Sequence, residues 1–434
     1  MRWRRRGVPA AVALAAALLA GSAGPARASQ DPLFGAQWAL QEIGAPTAWQ
    51  RSTGAGVRIG IVDSGVFAQH EDLAGKVVAA TDCINTGGDP RACRGSGEDD
   101  TGHGTDMAGI AAANKDNGRG IAGVAPGARL VVARVLTDDG GSIVDVEAGI
   151  RWVVQHGAQV VNLSLGDNPL AQSPIDLSFE AAVEEAWAAG AVPVVTSGNA
   201  TALGPARENF ASLDALVVGA TDLHGVVMPY SNPLGAAKWG LVAPGGSGTR
   251  DGRDVISTWW DPSAPGVINR YSYGAGSSVA AAHTSGVVAL LLAEGLSPLQ
   301  AVQRIIDTAR PVPCGLGCHG LLDAAAAVAP PPQRVVAEST NAPTPATTAK
   351  PPVPSSTQAS TAPATTSPTA ELPPPPEIAL GEPETPIAAP VIAKVAGRGT
   401  LVDRWKPAWI ALFLAGGVAL FRLLRRRSLE GGIR

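Results

Sequence analysis

The chain has 434 residues, 45% of them hydrophobic and 16% charged, with a formal net charge of −4 at pH 7. That is longer than one average domain, but the excess is compositionally distinct at both ends. No stripe of basic residues interleaved with aromatics occurs, which argues against nucleic-acid binding.

Residues 1–28 begin with Arg2, Arg4, Arg5 and Arg6, continue through an apolar stretch from Val8 to Ala20, and end in Ala26-Arg27-Ala28. This is the pattern of a secretory signal peptide with a small-residue cleavage site. The alternative, an uncleaved anchor, is disfavoured by the short apolar region.

From residue 29 to 329 the pattern alternates. The apolar runs VRIGIV (57–62), RLVVARV (129–135), QVVNLSL (159–165), AVPVV (191–195) and ALVVGA (215–220) read as buried strands. Helical stretches lie between them. In Ile143–His156 one face carries Ile143, Val146, Ile150, Val153 and Val154, and Gly157 follows as a stop. Alternating strand and helix predicts an α/β domain with a mostly parallel sheet flanked by helices.

Three polar residues stand where buried segments end. Asp63 closes the run VRIGIVD, His103 lies in TGHGTDMAG, and Ser278 opens the small-residue stretch SVAAAHTSGVVALLL. Taken singly, each has a plain structural reading: a turn aspartate, a histidine at a helix start, a serine N-cap. Taken together they are the parts of a nucleophilic site. A serine hydroxyl needs an imidazole to take its proton, and a carboxylate to hold that imidazole in the right tautomer.

Cys83 and Cys93 bracket one loop, and Cys314 and Cys318 another. In an exported chain four cysteines suggest two disulfides, with neighbour pairing favoured among three connectivities. Zinc binding by Cys314, Cys318 and His319 lacks an evident fourth ligand. Residues 330–400 are rich in Pro, Thr, Ala and Ser, a composition that cannot offset its own ordering entropy; it predicts a disordered spacer.

Residues 405–424 follow. Their uncharged core, Pro407 to Phe421, spans about 22 Å as a helix, which flanking Lys406 and Arg422 extend by snorkelling. Trp405 and Trp409 suit the outer interface, and a basic tail, 425–434, suits the cytoplasmic side. The reading is a single-pass membrane anchor with the bulk of the chain outside. Eight arginines belong to the two membrane-directed ends (Arg2, Arg4, Arg5, Arg6, Arg422, Arg425, Arg426 and Arg427), so the exported part is acidic.

The motifs around Asp63, His103 and Ser278, in that order, resemble those of the subtilase family of serine proteases, its thermitase-like branch in particular. The resemblance implies Ser278 as nucleophile, His103 as general base and acid, and Asp63 as its orienter. It implies Asn199, in VVTSGN, as oxyanion donor beside the Ser278 N–H. Two extended segments, Ser164-Leu165-Gly166 and Thr196-Ser197-Gly198, would flank a peptide substrate. No cofactor is implied for catalysis. A structural calcium ion is implied at Asp31, Asp72 and Asn117, with backbone carbonyls of Asn114, Arg119 and Ile121.

The chain departs from the family pattern at several points. Asp106 stands where relatives carry histidine or a small residue, and Gly276-Ser277-Ser278-Val279-Ala280-Ala281-Ala282 lacks the usual proline. Ala206–Leu213 fits the pocket loop poorly, and no pro-domain fits between Ala28 and the domain. The layout of signal peptide, protease domain, Pro-rich spacer and anchor also resembles mycosins, the proteases attached to type VII secretion systems. The implied function is a membrane-tethered extracellular endopeptidase acting on polypeptides. The alternative is a weakly catalytic or non-catalytic scaffold partnered with a secretion complex.

Overall fold

A computed structural model describes residues 29–138, 140–165, 177–200 and 210–330. The segments read as signal peptide, spacer, membrane anchor and basic tail lie outside the described residues. Among the described residues no helix is long and apolar enough to cross a membrane.

Eight strands form one sheet in which every neighbouring pair is parallel: β1 (Arg58–Asp63), β2 (Val77–Asp82), β3 (Arg129–Arg134), β4 (Val160–Leu163), β5 (Val192–Thr196), β6 (Leu216–Thr221), β7 (Trp239–Pro244) and, after a hairpin, β10 (Cys318–Leu321). The hairpin pairs β8 (Val255–Trp259) with β9 (Arg270–Gly274) antiparallel. The sheet order is β10-β7-β6-β5-β4-β1-β3-β2.

Continuous apolar runs become strands here because both faces are covered. In β1, Ile59 and Ile61 enter one core and Val62 the other; in β3, Leu130 and Val132 part from Val131 and Ala133 in the same way. The first core is closed by α1 (His103–Ala112) and α4 (Ser277–Ala293), the second by α2 (Ile143–Gln155) and α3 (Leu177–Ala188). Helix α5 (Pro298–Thr308) starts at a capping box, with Ser297 Oγ accepting from the Gln300 N–H.

The topology positions the site. From β1 the chain builds β2 and β3 on one side, then crosses to build β4 to β7 on the other. The carboxyl end of β1 is therefore a switch point, where loops diverge and leave a crevice. Asp63 is the last residue of β1.

Two disulfides close loops. Cys83–Cys93 and Cys314–Cys318 are both bonded, leaving no free cysteine among the described residues. The first loop is also held from below, since Asp145 in the first turn of α2 accepts the Asn85 N–H at 2.9 Å and the Thr86 N–H at 2.7 Å.

Candidate active site

His103 is the first residue of α1, and Gly102 before it adopts φ +90° in the left-handed region. A side chain at Gly102 would also strike the Trp260 carbonyl, with a Cβ placed only 2.2 Å away. The sequence Gly-His-Gly thus folds tightly against its neighbours. His103 Nδ1 lies 2.7 Å from Asp63 Oδ1, and both side chains are buried. With a carboxylate as acceptor, the proton sits on Nδ1, leaving Nε2 as the basic nitrogen of the neutral ring. Asp63 Oδ1 also accepts the Ser64 N–H at 2.7 Å, while its Oδ2 is buried without a partner among the described residues.

Asp99 ties the two segments together. Its Oδ1 accepts from Ser64 Oγ (2.8 Å), Thr101 N (3.0 Å) and Gly102 N (2.9 Å). Its Oδ2 accepts from Thr105 N (2.9 Å) and Thr105 Oγ1 (2.5 Å). Burial raises its pKa, and the Thr105, Thr101 and Gly102 donors oppose the rise. Sequence reasoning missed this residue. The signal was an aspartate just ahead of a helix start, the residue type that caps first-turn amides.

Ser278 lies in the first turn of α4, whose N-cap is Gly276. Register brings it near Asp63: Ile61 pairs with Asn162, so Ser164, two residues on, stands beside the end of β1. Ser164 Oγ donates to the Ser278 carbonyl at 2.9 Å, and Ser278 Oγ donates to the Ser164 carbonyl at 3.2 Å. Asn162 links the pair to the interior, donating from Nδ2 to Ser164 Oγ at 2.9 Å and accepting from Ser285 Oγ at 2.8 Å. Among the described residues no hydrogen bond joins Ser278 Oγ to His103. Resting contacts of this kind tighten or change partner on substrate binding. Helices α1 and α4 pack side by side, Met107 and Ile110 meeting Val279 and Ala282.

Asn199 follows β5. Its Oδ1 accepts Ser277 N (3.0 Å) and Ser277 Oγ (2.9 Å), and Ser277 Oγ in turn accepts from Thr196 Oγ1 at 2.5 Å. This chain fixes the Asn199 side chain through its Oδ1. A Cβ placed on Gly276 would lie 3.4 Å from Asn199 Nδ2 and 3.8 Å from Ser278 N, so the two donors border one space. Such a pair can receive a developing oxyanion.

Of the expected substrate-flanking segments, Ser164, Thr196 and Ser197 are buried and Leu165 is half-buried, while Gly166 lies outside the described residues. The carboxyl ends of β4 and β5, from which these two segments continue, are neighbours in the sheet. Half of the pocket loop Ala206–Leu213, residues 206–209, lies outside the described residues.

The imidazole is strongly biased toward its charged form. Burial lowers the pKa of His103, but the Asp63 charge and hydrogen bond, with Asp106 and Asp99 behind, outweigh it and raise it to about 9.

The expected calcium residues meet on one loop. Asn117 Nδ2 and Ile121 N donate to Asp72, each at 2.8 Å, and Tyr271 Oη joins them at 2.8 Å. Asp31 accepts Asp116 N at 2.8 Å and Gly118 N at 3.1 Å, and Asn114 N donates to the Asp72 carbonyl at 2.8 Å. Arg119 N donates to Asn117 Oδ1 at 2.8 Å. Two buried carboxylates and an amide from three distant segments are thus gathered, neither acid paired with Lys or Arg among the described residues. The oxygen donor set suits a hard cation, although each carboxylate is hydrogen-bonded to the protein and no cluster of three His, Cys, Asp or Glu forms among the described residues.

Known proteins resemble this chain over much of its length. The profile of the subtilase family, Peptidase S8, matches residues 54–350. Thermitase of Thermoactinomyces vulgaris is 35% identical over 281 residues, covering 64% of this chain and 90% of that protein. The thermophilic serine proteinase of Bacillus sp. (strain AK1) is 34% identical, covering 63% of this chain and 62% of that protein. Among solved structures, a protease from Pseudoalteromonas arctica superposes with a TM-score of 0.60 at 29% identity, covering 70% of this chain and 99% of its own.

Proposed function

Because the chain belongs to the subtilase family of serine proteases, we propose that it hydrolyses peptide bonds in polypeptides through Asp63, His103 and Ser278. The observation that carries this reading is the buried 2.7 Å contact of His103 Nδ1 with Asp63, set beside a serine whose N–H shares its space with the Asn199 amide.

In the proposed reaction Ser278 Oγ leaves the Ser164 carbonyl and gives its proton to His103 Nε2 as Oγ attacks the peptide carbonyl carbon. The carbonyl oxygen becomes the oxyanion, received by Asn199 Nδ2 and Ser278 N. His103 returns the proton to the leaving amine and the C–N bond breaks, leaving an acyl-enzyme. Water then gives a proton to His103 and attacks the ester; Ser278 Oγ leaves and takes the proton back. Asp63 holds the ring in place throughout.

The membrane tether through residues 405–424, the exported location behind a 1–28 signal peptide, and the disordered 330–400 spacer belong to the same proposal, as does a mycosin-like setting. They are supported by sequence pattern. Calcium is proposed to be held by Asp31, Asp72 and Asn117 with loop carbonyls, stapling the N-terminal segment to the domain. Excess chelator should then lower the thermal midpoint. A scaffold role gains no observation of its own, since a scaffold has no need of the Asp63–His103–Asn199 arrangement.

The test is hydrolysis of a casein or peptide library by the purified chain against Ser278→Ala. Cleavage that disappears in the variant supports the reading; cleavage that persists removes Ser278 from the role of nucleophile.

A further inference from the structure

Asp106 is a buried acid that the hydrolytic scheme leaves unused. It lies three residues after His103 on α1, which places it on the same helix face one turn on. It is 3% exposed, and among the described residues its Oδ1 has no hydrogen-bond partner. Among the described residues no Lys or Arg pairs with it. A carboxylate held this way retains a strong electrostatic demand on whatever charge is near.

The groups around it are few. On its own helix stands His103, at the end of β1 Asp63, and in the preceding loop Asp99. From the hairpin, Ser257 Oγ donates to the Asp106 carbonyl at 2.8 Å and Thr258 Oγ1 to the Thr105 carbonyl at 2.7 Å. From α4, Val279 and Ala282 join Met107 and Ile110 of α1 in one apolar cluster, while His283 turns to the carbonyls of Val279 and Pro244. Arg134 of β3 is committed to Asp82 and Asp100. The turn Glu71–Leu73, also packed on α1, directs Glu71 and Asp72 to Tyr271. The positive charge that can answer Asp106 is therefore the His103 imidazolium.

We propose that Asp106 is a positioning residue for proteolysis: its carboxylate is a second counter-charge for the His103 imidazolium, so that two acids rather than one decide when the base is free. This rests on His103 being the base of the proposed reaction.

The electrostatics run in that direction. Burial raises Asp106 to about 7 against the His103 charge and the Ser257 hydroxyl, and Asp106 is among the groups that raise His103 to about 9. Between those limits the acid is ionised and the ring protonated. Below them Asp106 takes up a proton and its hold lapses.

The decisive experiment is a proton NMR titration of the 13C-labelled His103 ring in full-length Ser278→Ala, repeated in Ser278→Ala/Asp106→Asn, with the signal assigned by a His103→Gln control. The midpoint is expected to fall by about one pH unit or more on removing the Asp106 charge. A midpoint unchanged within about 0.2 units would overturn the proposal. Should Asp106→Asn fail to fold by circular dichroism, Asp106→Ser answers the same question. In the otherwise native chain, the acid limb of kcat/KM should move to lower pH with Asp106→Asn, whereas a purely structural role would lower kcat and leave the limb in place. Because the titration needs no turnover, a moved midpoint in a chain that cleaves nothing would remove the proteolytic reading and with it the positioning role, leaving only the charge coupling of Asp106 to His103.

Discussion

Ser164 and Ser278 hold each other by reciprocal bonds, each hydroxyl donating to the other's backbone carbonyl, at 2.9 Å from Ser164 and 3.2 Å from Ser278. The nucleophile of the proposed site therefore rests on a carbonyl at the end of β4. Ser164→Ala removes the bond that fixes the α4 start to that strand and leaves Asn162 Nδ2 without its acceptor. We expect a loss of about 1–2 kcal/mol in stability, with a fall of about tenfold in kcat and little change in KM. Chemical denaturation and steady-state kinetics measure both.

Asn199 should act in the transition state and hardly before it. Asn199→Ala is expected to lower kcat by about 10²–10³ with KM nearly unchanged. Ser277→Ala, which breaks the chain from Thr196 to Asn199, should cost less, about tenfold, and Ser277→Thr should restore most of it. Equal damage to KM and kcat in Asn199→Ala would place that side chain in ground-state binding instead.

The pH profile has a definite sign. The base must be neutral to accept the Ser278 proton, and His103 is raised to about 9 by Asp63, Asp106 and Asp99 against the effect of burial. The value of kcat/KM should therefore rise with pH, with its acid limb centred well above the ordinary histidine range and toward 9. The same shift stabilises the fold: its contribution is fully present below the unfolded histidine pKa near 6.5 and is lost as pH rises through about 9. A pH–rate profile with its acid midpoint near 6.5 would contradict the raised affinity of His103 for its proton.

The Cys83–Cys93 bridge closes a loop with a sequence separation of 10 beside the edge strand β2. A loop of that length contributes about 3 kcal/mol by the chain-entropy estimate. Cys83→Ser/Cys93→Ser should therefore lower the denaturation midpoint by that order, while Asp145 keeps the loop near α2. Loss of activity greater than loss of stability would show that the loop also shapes the cleft.

Much of this was legible in the sequence, for physical reasons. Strands β1, β3, β4, β5 and β6 are buried on both faces, so they read as mainly apolar runs rather than alternating ones. Strand β2, Val77–Asp82, has a mixed burial pattern as an edge strand and gave no such run. The hairpin of β8 and β9 carries Ser257, Thr258, Arg270 and Ser272, and only pairing makes it a sheet. At the site, Asp63, His103, Ser278 and Asn199 stood in recognisable motifs. Asp99 and Asn162 did not, because the ties of Asp99 to Ser64 and of Asn162 to Ser285 join residues distant in the chain. Asp106 was visible as a departure, but its burial behind His103 depends on how the hairpin and α4 close over α1.

The most direct measurement is covalent labelling of the purified protein with a fluorophosphonate probe, which reports a serine activated by its base and oxyanion donors. Labelling that maps to Ser278, disappears in Ser278→Ala and is strongly reduced in His103→Ala is the expected result. No labelling of the folded protein at pH 9, or labelling that survives Ser278→Ala, would contradict a site built on Asp63, His103 and Ser278.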